Sequence, residues 1–124
     1  SISHCGDYAA AIVSSDSRVG IDIEIPVNKI EKIKDKFLSK PEILEFDITE
    51  RTTSNVQLTT LLWSAKEAVF KWYGAGSVDF KKHIHLKKIH EGDETIDCHF
   101  TKTNQPLKIH YKFLDHLVLA WVTD

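Results

Sequence analysis

Apolar residues recur along this chain with two different periods, and the switches between them mark out its elements. Residues Tyr8 to Ser14 are rich in alanine, isoleucine and valine without helix caps, and Val19 to Ile25 alternates, so both predict strands joined by a turn at Ser15-Asp16-Ser17. From Lys29 to Leu38 the period changes: Ile30, Ile33, Phe37 and Leu38 recur at helical spacing, with lysines at 29, 32, 34, 36 and 40 on the other faces. Ser39-Lys40-Pro41-Glu42 has the form of a capping box with proline in the first turn, which predicts a second short helix to about Phe46. Thr49 to Asn55 is a polar break.

The longest apolar stripe runs from Val56 to Tyr73 through Leu58, Leu61, Leu62, Ala65, Ala68, Val69 and Trp72, with Gly74 and Gly76 as stops, and predicts the main helix. Beyond it Ile84–Ile89, Thr95–Phe100, Leu107–Leu114 and Leu117–Val122 read as strands separated by turns at Glu91-Gly92-Asp93, Asn104-Gln105-Pro106 and Asp115-His116. The expected architecture is α+β: an antiparallel sheet with helices on one face and a helical insertion after the second strand.

Composition narrows the classes of function. At 124 residues, 42% apolar and 27% charged, the chain has the size and make-up of a single globular domain spanning 1–124. The net charge of −2 supplies no general basic field and no basic patch with interleaved aromatics stands out, so nucleic acid is not an expected partner. Apolar runs fall short of the roughly 20 residues of a membrane helix, so no membrane partner is expected either. Cys5 and Cys98 are too few and too far apart for a disulfide framework, which makes a reducing compartment, the cytoplasm, the expected address. The chain lacks methionine and opens at Ser1-Ile2-Ser3-His4 without a leader, which points to a fragment.

Two clusters carry candidate chemistry. Asp22 and Glu24 lie two apart on a strand, so their carboxylates share a face while Ile21, Ile23 and Ile25 are expected to point into the core. Adjacent anions are easier to accommodate with a cation between them, and oxygen ligands favour magnesium or calcium; the same spacing also fits the wet face of an amphipathic strand. Glu67 and Lys71, one helical turn apart, can lean from the helix toward the sheet or form a surface ion pair. Around them Trp63-Ser64-Ala65-Lys66-Glu67-Ala68-Val69-Phe70-Lys71 sets two lysines and an acid beside a large aromatic, a combination suited to a magnesium-bound diphosphate. His83 and His85 are expected to share a strand face, with no third ligand evident.

Four motifs, Ser-Ile-Ser-His, Gly-Ile-Asp-Ile-Glu, Phe-Leu-Ser-Lys-Pro-Glu and Trp-Ser-Ala-Lys-Glu-Ala-Val-Phe-Lys, occur in an order and spacing that resemble the Sfp-type enzymes of the 4′-phosphopantetheinyl transferase superfamily. The resemblance covers Ser1 to about Lys71 by motif. It implies magnesium-dependent transfer of the 4′-phosphopantetheine arm of coenzyme A to a serine of an acyl or peptidyl carrier protein, with 3′,5′-ADP leaving. By the same resemblance Asp22, Glu24 and Glu67 are the metal carboxylates, Lys71 and less directly Lys66 bind the diphosphate, and Ser3 and His4 contact the coenzyme A phosphates from a loop before a strand. Glu42 resembles the glutamate that takes the serine proton, although the capping box already gives it a structural reason to exist. The lysine-rich stretch from Lys29 to Lys40 is a candidate surface for an acidic carrier or a solvated face.

Sfp-type enzymes consist of two similar halves, and these motifs belong to the C-terminal half. The resemblance therefore implies pairing with a missing N-terminal half, or else a homo-oligomer of the kind formed by single-domain carrier-protein synthases. Two other functions fit the same residues: a different magnesium-dependent enzyme acting on a nucleotide diphosphate, and a non-catalytic carrier-binding domain.

Overall fold

The structure is a computed structural model and describes residues 1–48 and 53–124. Among the described residues, strands and helices follow in the order β1 (Ile2–Cys5), β2 (Tyr8–Ala11), β3 (Val19–Glu24), α1 (Ile30–Phe37), α2 (Lys40–Glu45), α3 (Thr53–Tyr73), α4 (Phe80–His83), β4 (Ile84–His90), β5 (Thr95–Phe100), β6 (Gln105–Leu114) and β7 (Leu117–Thr123). Strands β3-β7-β6-β5-β4 form one antiparallel sheet, and β1 and β2 form a separate two-stranded ribbon. The fold is α+β, as the hydrophobic pattern implies.

The meander from β4 to β7 keeps its expected limits to within two residues, because alternation and turn chemistry act together there. Asn104 and Asp115 take the left-handed backbone at two of its hairpin turns, with φ of 50° and 57°. Both are residue types that tolerate that region.

The main helix packs against β3 and β7. Leu61, Leu62, Ala65, Ala68, Val69 and Trp72 are buried along it, and Val118, Ala120 and Val122 of β7 meet the same core. Burying each such Leu, Val or Ile is worth about 1.5–3 kcal/mol. Helix α1 adds Ile30 and Phe37 to this core. Helix α2 starts with the full capping box: the Ser39 hydroxyl accepts from the Glu42 amide at 3.3 Å, and Glu42 Oε1 accepts from the Ser39 amide at 2.8 Å.

Several expectations are corrected. Ile2–Cys5 is a strand and not a loop, because it pairs with Tyr8–Ala11 in a tight hairpin, so the helical insertion follows the third strand. Helix α4 was not expected; Asp79 caps it by accepting from the Lys81 and Lys82 amides at 2.9 and 3.1 Å. His83 ends that helix and does not share a strand with His85. Of the polar break, Thr49–Thr52 lies outside the described residues, and Thr53–Asn55 opens α3. The orientation of β3 also differs. The helix packs on the face that carries Gly20, Asp22 and Glu24, while Ile21 and Ile23 are buried on the other side and stand apart from the main core.

No helix among the described residues is long and apolar enough to cross a membrane.

Candidate functional site

Gly20 decides how closely α3 can approach β3. A Cβ at this position would collide with the Ala68 carbonyl oxygen and the Trp72 amide nitrogen, and would stand 2.9 Å from Trp72 Cα. Only glycine lets strand and helix backbones meet in this way. The Ser64 hydroxyl, two turns earlier, donates to the Asp22 carbonyl at 3.3 Å and locks the register of helix on strand. These contacts carry Asp22 and Glu24 against Glu67 and Lys71.

The free edge of β3 is covered by β1. Ser1 and Ser3 hydroxyls accept from the Ile21 and Ile23 amides at 3.1 and 3.0 Å, which satisfies an edge that a sheet partner would otherwise fill. Ser3 is buried and also donates to Asp22 Oδ1 at 3.4 Å, whereas His4 alternates to the exposed side of the ribbon.

Asp22 is only 3% exposed, and Lys71 Nζ lies 3.1 Å from its Oδ1. Its Oδ2 is buried without a hydrogen-bond partner. A buried polar oxygen left this way costs roughly 1–3 kcal/mol. Glu24 is pushed up to about 8, first by burial, then by its contact with Asp22 and the charges of Asp22 and Glu67; a hydrogen bond from Trp63 acts the other way. Burial and the Asp22 charge likewise raise Glu67, partly offset by Lys71. Three carboxylates thus share a partly dry space with one lysine.

This donor set fits a hard divalent cation. Among the described residues no group of three or more His, Cys, Asp or Glu side chains by itself forms a metal-holding cluster. A divalent cation such as magnesium keeps several waters and is bound by one or two carboxylates together with substrate phosphates, so it does not require a complete protein cage. The orphaned Asp22 Oδ2 and the raised Glu24 and Glu67 are the groups a cation would satisfy.

Trp63 connects this cluster to a cleft of about 370 Å³ lined by Ile33, Lys36, Phe37, Trp63, Asp79 and Phe80. Its ring meets Phe37 edge-on at 5.1 Å and Phe80 at 5.6 Å.

Lys66 and Glu42 lie elsewhere. Lys66 is fully buried, and its ammonium donates to Glu42 Oε1, Phe37 O and Phe80 O, each at 2.8 Å. Glu42 is 4% exposed, and its Oε2 accepts from the Leu86 amide at 2.9 Å. The structure therefore brings Asp22, Glu24, Glu67, Lys71 and Ser3 together, and pairs Lys66 with Glu42 inside the protein. The signal for this was in the sequence: Lys66 falls four residues after Leu62 and three before Val69, on the apolar stripe itself. Gly20 and Ser64 were also missed, and a glycine inside an alternating strand is the cue for the first.

No curated protein matches the chain at a significant level. Residues 18–122 match the family model described as the 4′-phosphopantetheinyl transferase superfamily. That span holds β3 and α3 with all three clustered carboxylates and Lys71, and runs to the last strand. The chain belongs to the 4′-phosphopantetheinyl transferase superfamily.

Proposed function

We propose that this chain carries out the magnesium-dependent transfer of the 4′-phosphopantetheine group from coenzyme A to a serine of an acyl or peptidyl carrier protein. The observation that supports it is the gathering of Asp22, Glu24 and Glu67 beside Lys71, with Asp22 Oδ2 buried and unpaired, in a member of a family whose chemistry is phosphopantetheine transfer.

In this reading the three carboxylates hold Mg²⁺ together with oxygens of the coenzyme A diphosphate. When bound, the ion neutralises the phosphates and draws charge away from the bond that breaks. Lys71, about a quarter exposed and at the rim of the carboxylates, leaves Asp22 to neutralise the diphosphate and the developing charge on the leaving phosphate. Ser3 acts through Asp22, whose Oδ1 it bonds, and exposed His4 is available to the outer phosphates. The serine oxygen forms a bond to the pantetheine-side phosphorus, and the bond from that phosphorus to the bridging oxygen breaks. The electron pair leaves with 3′,5′-ADP, and the serine proton passes to a carboxylate or to water. The reading of Glu42 as that proton acceptor rests on resemblance alone, because its carboxylate is committed to Ser39, Leu86 and Lys66.

The uncharged amide arm suits the aromatic cleft that Trp63 joins to the carboxylates. The exposed Lys29, Lys32, Lys36 and Lys40 offer an acidic carrier a charged approach beside that cleft, while Lys34 is engaged by Glu31 and the Ile48 carbonyl.

The test is mass spectrometry of an apo carrier protein incubated with the full-length protein, coenzyme A and Mg²⁺. Gain of one phosphopantetheine arm, abolished by chelation, is the expected result. If no arm is gained with any acyl or peptidyl carrier offered, and calorimetry detects no coenzyme-dependent Mg²⁺ binding, the reading fails.

A further inference from the structure

We infer that Lys66 is a positioning residue that holds the walls of the Trp63 cleft, and not a ligand of the diphosphate. The inference rests on the reading of the neighbouring cluster as a coenzyme A site.

An ammonium group has three protons to donate. At Lys66 all three are matched, by Glu42 Oε1, Phe37 O and Phe80 O, each at 2.8 Å. The side chain is fully buried, so contact with a phosphate would cost at least one of these bonds and leave a buried carbonyl or carboxylate unpaired. Burial pulls the ammonium below its ordinary pKa, and the nearby Glu42 carboxylate acts to restore the charge.

What the three bonds connect is specific. Phe37 is the last residue of α1 and Phe80 the first of α4. Their rings flank Trp63 and form the cleft, so Lys66 ties both walls to the helix that carries Trp63. Glu42 anchors the other end, held by the Ser39 amide of its own capping box and by the Leu86 amide on β4. The line from β4 through Glu42 and Lys66 to Phe37 and Phe80 sets the cleft width without touching ligand. Lys66 then governs affinity for the arm of coenzyme A and leaves the affinity for its phosphates unchanged.

The experiment compares Mg²⁺-dependent binding of coenzyme A with that of 3′-phosphoadenosine 5′-diphosphate, which keeps every phosphate and lacks the arm. The variant is Glu42→Gln with Lys66→Met, which removes the pair without stranding a charge. Coenzyme A should bind about tenfold more weakly to the variant, the effect of a few lost apolar contacts, while the nucleotide changes less than about twofold. Equal loss for both ligands would mean that Lys66 touches phosphate; no loss for either would mean that the pair is structural only. Either result overturns the inference. A wild-type protein that binds neither ligand would overturn the reading of the site itself.

Should the variant not fold, amine acylation of the wild-type protein decides the matter. Lys71 should be modified and then protected by Mg²⁺ with coenzyme A, and Lys66 should stay unmodified under both conditions. Modification of Lys66 that the ligand suppresses would overturn the inference.

Discussion

Lys71 Nζ lies 3.1 Å from Asp22 Oδ1, a contact between residues on the helix and strand that the Gly20 approach brings together. This ammonium pairs with Asp22 and partly offsets the rise of Glu67, while burial and repulsion among the carboxylates raise both Glu24 and Glu67. Lys71→Met should therefore separate two effects. Without metal it should lower stability by about 1 kcal/mol, the upper end for a partly exposed pair, measured by urea unfolding. Turnover of carrier protein should fall by about 10²-fold, as when one preorganised charge contact to a transition state is removed. A variant with full turnover would show that the lysine serves the carboxylates alone.

Gly20 contributes nothing chemical and should be among the least tolerant positions. A methyl group there meets backbone atoms of Ala68 and Trp72, which cannot rotate aside as a side chain could. Gly20→Ala should cost about 2–3 kcal/mol by overpacking. Because the helix must move off the strand, Mg²⁺ affinity in the presence of coenzyme A should fall as well, as calorimetry on the folded fraction can show. Loss of stability with metal affinity retained would mean that the approach of α3 to β3 does not set the site.

The contrast between Gly20 and Lys66 shows what could be read from residues alone. The strands of the meander, the main helix and the capping box were legible because period, turn residues and caps agree over several positions. The pairing of Asp22 and Glu24 was legible because period two fixes a shared face. Which face meets the helix was not, since Gly20 to Ile23 are all buried and a strand covered on both sides has no polar side to serve as a reference. Lys66 and Glu67 are neighbours some 100° apart on a helix, so only one can face the carboxylates. Residue type suggested the diphosphate for both lysines; the position of Lys66 between Leu62 and Val69 placed it inside. The strand Ile2–Cys5 was too short and too polar to alternate visibly, and its partner is what makes it a strand.

Glu42 and Lys66 form a charge pair whose side chains are 5% and 0% exposed, so removing one partner strands the other charge. Glu42→Gln or Lys66→Met alone should each cost about 3–5 kcal/mol, whereas the double variant should lose clearly less than the sum. Urea unfolding of the four proteins gives the coupling directly. Additive losses would show that the two charges do not depend on each other.

Cys98 should make stability fall at alkaline pH. Its thiol is buried on β5, and burial pushes it from its ordinary 9.0 up to about 12, with Lys66 pulling slightly the other way and Glu42 adding to the rise. Because the folded value lies above the unfolded one, the native thiol keeps its proton where the unfolded chain has lost it. Its contribution is therefore intact below pH 9 and is lost as pH climbs toward 12. Thermal melts from pH 8 to pH 11 should show a steeper decline for the wild type than for Cys98→Ala, the difference opening only above about pH 9. Iodoacetamide at pH 8 should label Cys5 in the native protein and reach Cys98 only after denaturation, because the reactive thiolate is absent there and the sulfur is covered. Equal slopes above pH 9, or rapid labelling of native Cys98, would place that thiol nearer to solvent than its burial on β5 allows.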